Sequence, residues 1–381
     1  MKFLHTADWH IGKTLKGISR AEEFRAVLKE IEDIAIQEKV DFIIVAGDLF
    51  DKAAPNPESE DIVYTALANL GKIAPVFGVT GNHDNPKRFQ AIAPLLRQSN
   101  VRFVNQVLRP NEGGVMETKI KGVGLKIAAL PFVTKRGIIK IEDLDGEKEE
   151  FQNMQKYAER LARIIGALSK NMDSSSVNLF CGHLFVAGGV LGGGERNAHT
   201  ILDYAVSSLA FPANLQYVAL GHLHRSQKIN GKCPIHYSGS IVPLDFGEEK
   251  DEKFVKIVEV EPGLPAKIKE VKLNKGRSLK TIKGSLEELQ NFEETFDENT
   301  FLRIRVNEPR RPGLSEEVKD IFGEQAINIE IISTEVNPKI NKPSRRGKLP
   351  IELFSEYCTD KKIKDPAVID AFKELLGEVK L

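Results

Sequence analysis

The chain has 381 residues, 54 basic and 54 acidic, so it carries no formal net charge at neutral pH. That length allows one large core plus one or two smaller units. The charge balance excludes a global positive field that would recruit nucleic acid, while leaving room for local basic patches and bound cations to do so. The scattered cysteines Cys181, Cys233 and Cys358 form neither a disulfide framework nor a cysteine zinc site. The amino terminus runs straight into a strand without a signal-peptide pattern, and no apolar run approaches membrane-spanning length. A cytoplasmic chain with no membrane segment is predicted.

Short apolar runs at Phe3-Leu4, Phe42–Ala46, Val76–Val79, Val177–Phe180 and Tyr217–Leu220 read as buried strands. Between them, amphipathic stripes predict helices over Glu22–Gln37, Glu58–Leu70, Pro86–Gln98 and Phe151–Leu168. Strands alternating with helices indicate a layered α/β domain over residues 1–250. The strands Ile235–Tyr237 and Phe254–Val260 lie closer together and suggest an antiparallel portion. From 251 the character changes. A hairpin is expected around Pro262-Gly263, followed by a helix over Leu286–Phe296, a strand over Phe301–Val306, a helix over Ser315–Phe322 and a strand over Ile327–Thr334. Together these predict a small α+β capping unit over 251–335. Residues 336–350 hold Lys339, Lys342, Arg345, Arg346 and Lys348 with Pro338, Pro343 and Pro350 and no acid, the composition of a linker. The tail, 351–381, reads as two short helices, the second opening at Asp365-Pro366. Two such helices cannot build a core of their own and need a partner surface.

The chemistry sits at the strand ends. Asp8 and His10 follow the first strand, Asp48 the second and Asn82 the third, and His183, His222 and His224 follow the two late strands. In an open α/β sheet the loops at the carboxyl ends converge on one crevice. Residues two apart on a strand share a face, so Asp8-x-His10 and His222-x-His224 each aim two ligands one way. Gly47, Gly81, Gly182 and Gly221 each precede a ligand and allow a sharp turn. Imidazole, carboxylate and amide-oxygen donors together suit manganese, and would also accept iron, zinc or magnesium. Seven such ligands exceed the needs of one ion. Two divalent metals sharing a bridging carboxylate account for them, and Asp48 alone can offer one oxygen to each. Two close metals are the usual device for in-line displacement at phosphorus. His83 lies one residue out of phase with Asn82. It reads as the general acid or transition-state stabiliser for the leaving oxygen, with Asp84 orienting its ring directly or through an intermediary.

Asp-x-His, Gly-Asp-x-x-Asp, Gly-Asn-His-Asp, a later Gly-His and then Gly-His-x-His, in that order over about 225 residues, resemble the calcineurin-like metallophosphoesterase superfamily. His5-Thr6-Ala7-Asp8-Trp9-His10-Ile11-Gly12 and Tyr237-Ser238-Gly239-Ser240, with Pro243, Leu244 and Phe246 after them, resemble the SbcD family of bacterial exonucleases. That family is the bacterial counterpart of the meiotic-recombination-eleven nuclease. The resemblance implies one metal on Asp8, His10, Asp48 and His224 and a second on Asp48, Asn82, His183 and His222. It implies a manganese-dependent nuclease acting on DNA in double-strand-break repair, a homodimer formed by the helices Glu58–Leu70 and Pro86–Gln98, and an SbcC-type coiled-coil ABC ATPase as partner for the tail. Asp51 stands where the archaeal and eukaryotic branch carries a histidine, so no substrate role is carried over to it. Competing readings are a phosphoesterase acting on a small molecule or phosphoprotein, and a scaffold with a decayed metal site. The extra α+β unit and tail disfavour the first, and the intact ligand set disfavours the second. Lys13, Lys16, Arg20, Lys87 and Arg88 are candidate phosphate contacts. His5, His199 and His236 read as structural or rim residues, and Gly188–Gly194 reads as a rim segment without the phosphate-loop pattern.

Overall fold

The computed structural model describes residues 1–134, 150–195, 205–332, 350–361 and 368–372. The chain divides into two units, Met1–Asn307 with Arg311–Ile331, and Glu308–Arg310 with Ile332–Leu381.

In chain order the first unit runs β1 (Lys2–Thr6), α1 (Ala21–Gln37), β2 (Phe42–Ala46), α2 (Pro57–Ile73), β3 (Val76–Val79), α3 (Pro86–Gln98) and β4 (Val101–Val104). It continues with β5 (Val115–Ile120), β6 (Val123–Leu130), α4 (Glu150–Ser169), β7 (Val177–His183), β8 (Tyr217–Gly221), β9 (Gln227–Ile229) and β10 (Ile235–Tyr237), and then β11 (Phe254–Glu259) and β12 (Lys267–Lys272). These strands make two six-stranded sheets, ordered β12-β11-β1-β2-β3-β4 and β5-β6-β7-β8-β10-β9.

Strand alternation determines how they stack. In β1 and β2, Phe3, Phe42, Ile44 and Ala46 face the second sheet, where they meet Ile127, Ala129, Leu179, Cys181 and Tyr217. The intervening Leu4, Ile43 and Val45 point the other way, onto Phe24, Val27 and Ile31 of α1 and Val63 and Leu67 of α2. On the outer face of the second sheet, Ala128, Leu130 and Phe180 pack on Tyr157, Leu161 and Ile165 of α4. The result is a four-layer sandwich, helix on sheet on sheet on helix. β2 is apolar at every position because both its faces are covered. Truncating Phe42, fully buried between the sheets, would cost about 3–5 kcal/mol.

The helix ends follow from local chemistry. Asn56 and Asn85 cap α2 and α3, each side chain accepting from a first-turn amide with a proline behind it. Pro94 lies within α3, which buries only Phe89 and Leu96.

The sheet departs from the sequence-based expectation at 251. The hairpin β11–β12 belongs to the first sheet, because β11 runs antiparallel to β1 with Leu4 opposite Ile257. Without it, β1 would leave an open edge along the core. β10 is parallel to β8 and antiparallel to β9. The small sheet is therefore β13 (Ser278–Gly284), β14 (Thr300–Val306) and β15 (Ala326–Ile331), all parallel, joined through α5 (Leu286–Gln290) and α6 (Leu314–Phe322). Its first strand, β13, is not among the predicted elements. α5 is also shorter than the predicted Leu286–Phe296. It opens with a capping box, Ser285 and Glu288, and closes where the Asn291 side chain turns back on the Glu287 carbonyl at 2.9 Å. Phe292 and Phe296 then stack on each other outside any helix, with ring centroids 5.9 Å apart.

In the second unit, α7 (Pro350–Asp360) is described, and residues 368–372 are helical. Phe354 stacks on Phe372 at 3.9 Å between ring centroids, and Cys358 is buried. The predicted linker over 336–349, the Asp365-Pro366 start, Leu375 and Leu376 all lie outside the described residues, as does His199.

Candidate metal centre

The carboxyl ends of β1, β2 and β3 in one sheet meet those of β7 and β8 in the other, and all seven predicted ligands arrive there. Asp8, His10, Asp48, His183, His222 and His224 are each no more than 3% exposed. The backbone pays a conformational cost to deliver them. Asp8, His10, Asp48 and His222 all have positive φ, at 51°, 48°, 51° and 106°, a region that non-glycine residues rarely occupy and that marks functional strain. Glycine is needed beside them because there is no space for more. A Cβ at Gly81 would lie 2.1 Å from Asp48 Oδ1, and one at Gly221 would lie 2.0 Å from the Ala46 carbonyl oxygen.

The donors form three overlapping groups. Asp8, His10 and His224 offer ligand atoms within 4.8 Å of one another, and so do Asp8, Asp48 and His183, and His10, Asp48 and His83. Asp48 Oδ2 lies 3.7 Å from His10 Nε2 and 3.3 Å from His183 Nε2, between the groups. On the second side Asn82 Oδ1 is 3.0 Å from His183 Nε2 and 2.9 Å from His222 Nδ1. Such ring-to-oxygen spacings gather lone pairs around one point. His10 carries the plainest sign of a cation: both its ring nitrogens are buried without a hydrogen-bond partner. The donor set and this orphaned ring fit divalent metal ions.

Charge in the protein alone tells the same story. Burial pushes the Asp8 carboxyl up to about 7. Burial works against Asp48 as well, but the charge and hydrogen bond of His183, with His10 and His83 behind it, hold Asp48 well below the usual carboxylate range. Burial opposes the His183 imidazolium, yet Asp48 and Asp8 lift it to about 9. Burial, reinforced by His224, drops His10 well below the usual imidazole value. Bound cations would take over the role of these protons.

The predicted catalytic pair, His83 and Asp84, separates in the structure. His83 Nδ1 donates to the Asp51 carbonyl oxygen at 2.6 Å, and its amide donates to Asp48 Oδ1 at 2.7 Å. A carbonyl only accepts, so Nδ1 holds a proton and Nε2 is the atom left to exchange one. The ring lies edge-on to His10 with centroids 4.6 Å apart. Asp84 is engaged elsewhere: it accepts from the amides of Leu49, Phe50 and Gly81 at 2.9–3.1 Å. Burial, with Asp48 close by, raises its carboxyl to about 7. It ties the Asp48 loop to the Asn82 loop. Asp51, which orients His83, does so through its backbone rather than its side chain.

Several residues around the ligands escaped sequence reasoning. Glu248 accepts from His224 Nδ1 at 3.0 Å, leaving Nε2 for an ion. Glu195 accepts from the His224 amide at 3.0 Å and from Gly192 and Gly193 at 2.7 and 2.8 Å, so the glycine segment is pinned at its end. The Ala46 carbonyl accepts from His183 Nδ1 at 2.8 Å, and Phe132 stacks near His222 with centroids 5.8 Å apart. A glutamate 24 residues past its partner, with two strands in between, leaves no spacing signal. Only the Ser240 to Phe246 run pointed at that neighbourhood.

One predicted phosphate contact is corrected, and a second has a protein partner. Arg20 is buried, bonded to both carboxylate oxygens of Glu23 and to the Pro243 carbonyl. Arg88 is bonded to Glu60. Lys13 lies 3.4 Å from Asp51, while Lys16 and Lys87 are exposed. His5 and His236 are buried and flank Tyr217.

Comparison with known proteins agrees with this geometry. Residues 1–226 match the family model described as calcineurin-like phosphoesterase. Over its full length the chain is 29% identical to a Bacillus subtilis protein named as the D component of the nuclease SbcCD, covering 98% of that protein. A protein of the same name from Rhodobacter capsulatus is 33% identical over 65% of this chain and 64% of its own. Another, from Staphylococcus epidermidis, is 28% identical over 76% of this chain and 74% of its own. Among the described residues no helix is long and apolar enough to cross a membrane. The chain belongs to the calcineurin-like phosphoesterases, as a metal-binding hydrolase of the SbcD type.

Proposed function

We propose that this protein is a manganese-dependent DNA nuclease, an exonuclease on duplex ends and an endonuclease on single strands. It would serve double-strand-break repair together with an SbcC-type coiled-coil ABC ATPase. One observation carries the reading above all: Asp8, His10, Asp48, His183, His222 and His224, all buried, meet the half-buried Asn82 in a single cluster with Asp48 at its centre. The relatives share a name, the D component of the nuclease SbcCD, which supports the substrate class and the partner.

In this reading Asp8, His10, Asp48 and His224 hold one ion, and Asp48, Asn82, His183 and His222 hold the other. When bound, the ions activate water and neutralise charge at the phosphorus. Asp48 keeps the two sites together through one carboxylate. His83 moves a proton at Nε2 toward the leaving 3′-oxygen, with its ring held by the Asp51 carbonyl. Asp84 serves as a positioning residue, fixing the two loops that carry Asp48 and Asn82.

The domain reading follows from this function. The sandwich would be the nuclease, the β13–β15 sheet a cap, residues 336–350 a linker and the tail a docking pair for the ATPase, inserted as helices in a groove. A homodimer through α2 and α3 is part of the proposal. Leu96 is buried against its own sheet, whereas Leu95 is 65% exposed and would be the contact residue. The test is an assay of the purified chain with manganese, offered circular single-stranded DNA, linear duplex, a cyclic nucleotide and a phosphopeptide in parallel. Cleavage of both DNAs and neglect of the other two is expected. Preference for the cyclic nucleotide or phosphopeptide would replace this reading with the small-substrate one.

A further inference from the structure

We infer that the turn Phe246–Glu249 couples the small three-stranded sheet to the metal ligand His224, with Glu248 as the positioning residue. The inference rests on the metal-centre reading above and adds a route by which a second part of the unit sets that centre's affinity.

One side of the turn faces the ligand. Glu248 is fully buried, and its Oε1 accepts from His224 Nδ1 at 3.0 Å. Its Oε2 accepts from Lys253 Nζ at 2.5 Å, the Leu244 amide at 3.2 Å and Ser240 Oγ at 3.3 Å. Burial opposes this carboxylate, but Lys253 and His224 outweigh the cost and hold it down at about 2. Lys253 also donates to the His224 carbonyl at 3.2 Å, so ring and backbone of the ligand answer to one bracket. The glycine segment closes it from outside. A Cβ at Gly194 would lie 2.8 Å from Glu248 Oε1 and 3.0 Å from His224 Nδ1. The backbone at Gly194 thus lies against the bonded pair.

The other side faces the small sheet. Phe246 is buried with Leu15, Leu279 and Phe301. The Arg303 guanidinium of β14 sits 4.9 Å from the centre of its ring. Arg303 Nε donates to Thr281 Oγ1 of β13 at 3.0 Å, and that hydroxyl donates to Glu249 at 2.5 Å. The residues flanking Glu248 are thus gripped by β13 and β14 while Glu248 itself grips a metal ligand. From Phe246 to Glu249 is three peptide units, at most about 11 Å. A shift of the small sheet therefore reaches His224 through a short, fully bonded path. On the other side of the centre the ring of His183 is held by the Ala46 carbonyl and that of His222 lies against Phe132, both within the main sandwich and neither touching the turn. The coupling should act on one ion and spare the other.

The experiment is manganese binding by the full-length chain, followed by calorimetry and by electron paramagnetic resonance, with no DNA present. Glu248→Gln keeps an acceptor but loses the charge, and one of the two binding events should weaken about tenfold, within the range seen for outer partners of metal ligands. Arg303→Ala touches no ligand, and the same event should weaken about threefold while the other is unchanged. Melting of each variant in chelator reports whether it is folded, and Arg303→Ala decides the matter if Glu248→Gln is not. Manganese binding by Arg303→Ala equal to wild type would overturn the coupling, as would equal weakening of both events. An Asp48→Ala control separates the failures. If wild type and Asp48→Ala bind alike, the metal-centre reading fails. If only Asp48→Ala loses metal and Arg303→Ala does not change, the coupling alone fails.

Discussion

The two sides of the metal centre are held by different means. The rings of His183 and His222 meet main chain and packing, the Ala46 carbonyl on His183 Nδ1 and the Phe132 ring beside His222, while carboxylates hold their backbone, Asp8 on the His222 amide and Asp84 on Gly81 beside Asn82. Around His224 the braces are side-chain carboxylates, Glu248 on the ring and Glu195 on the amide, with Lys253 neutralising the first. A backbone brace is fixed once the sheets pack, and no side-chain truncation deletes a carbonyl. A carboxylate brace depends on its own partners and on pH, so its ligand is tunable. The His183 ring is thus oriented by main chain and the His224 ring by an adjustable carboxylate.

Asp48 belongs to both sides, and its loss should break the comparison altogether. Asp48→Ala is expected to abolish cleavage and to lower metal content at both positions, as read by elemental analysis of the purified protein. An unaltered second ion would show that the sides do not share this carboxylate. His83→Ala touches neither brace. Turnover should fall by about two orders of magnitude or more with metal content preserved. Loss of metal in that variant would make His83 a ligand instead of a proton carrier.

The carboxylate brace predicts a pH signature. Glu248 titrates near 4.5 when free and at about 2 in the folded protein. A depressed carboxyl stabilises the fold above its unfolded value, and that stability disappears as pH falls from about 4.5 through 2. The shift corresponds to roughly 3 kcal/mol at neutral pH. Glu248→Gln should therefore melt well below wild type at pH 7, with the gap closing as the pH approaches about 2. A gap independent of pH would mean the glutamate contributes by packing alone. The smallest effect is expected outside both sides. A chain ending near Lys342 should keep its melting temperature and the proposed manganese-dependent cleavage while losing co-purification with the proposed ATPase partner. A large drop in melting temperature would assign the tail to the core.

How much of this was legible in the sequence follows the same division. Asp8, His10, Asp48, Asn82, His183, His222 and His224 were readable because each follows an apolar strand and a turn, and strand order brings those ends together. Glu248 and Glu195 were not, because a brace is defined by distance in space and neither lies in a spaced motif. The bonding of Asp84 was hidden for a related reason. Adjacent in sequence to His83, it faces the other way, onto the amides of Leu49, Phe50 and Gly81. In the fold, the buried strands β1 and β2 were plain. The position of β11 was not, since only pairing with β1 distinguishes the last strands of the sandwich from the first of the small sheet. β13, Ser-Leu-Lys-Thr-Ile-Lys-Gly, buries only Leu279, Ile282 and Gly284, too faint a pattern beside its charged neighbours.

The central claim is that one buried carboxylate joins two divalent ions. Anomalous diffraction at the manganese edge, on crystals grown with that metal, tests it most directly. Two peaks roughly 3.5–4 Å apart are expected, one among Asp8, His10, Asp48 and His224 and the other among Asp48, Asn82, His183 and His222. A single peak at full manganese loading, or two peaks that do not share Asp48, would contradict the account.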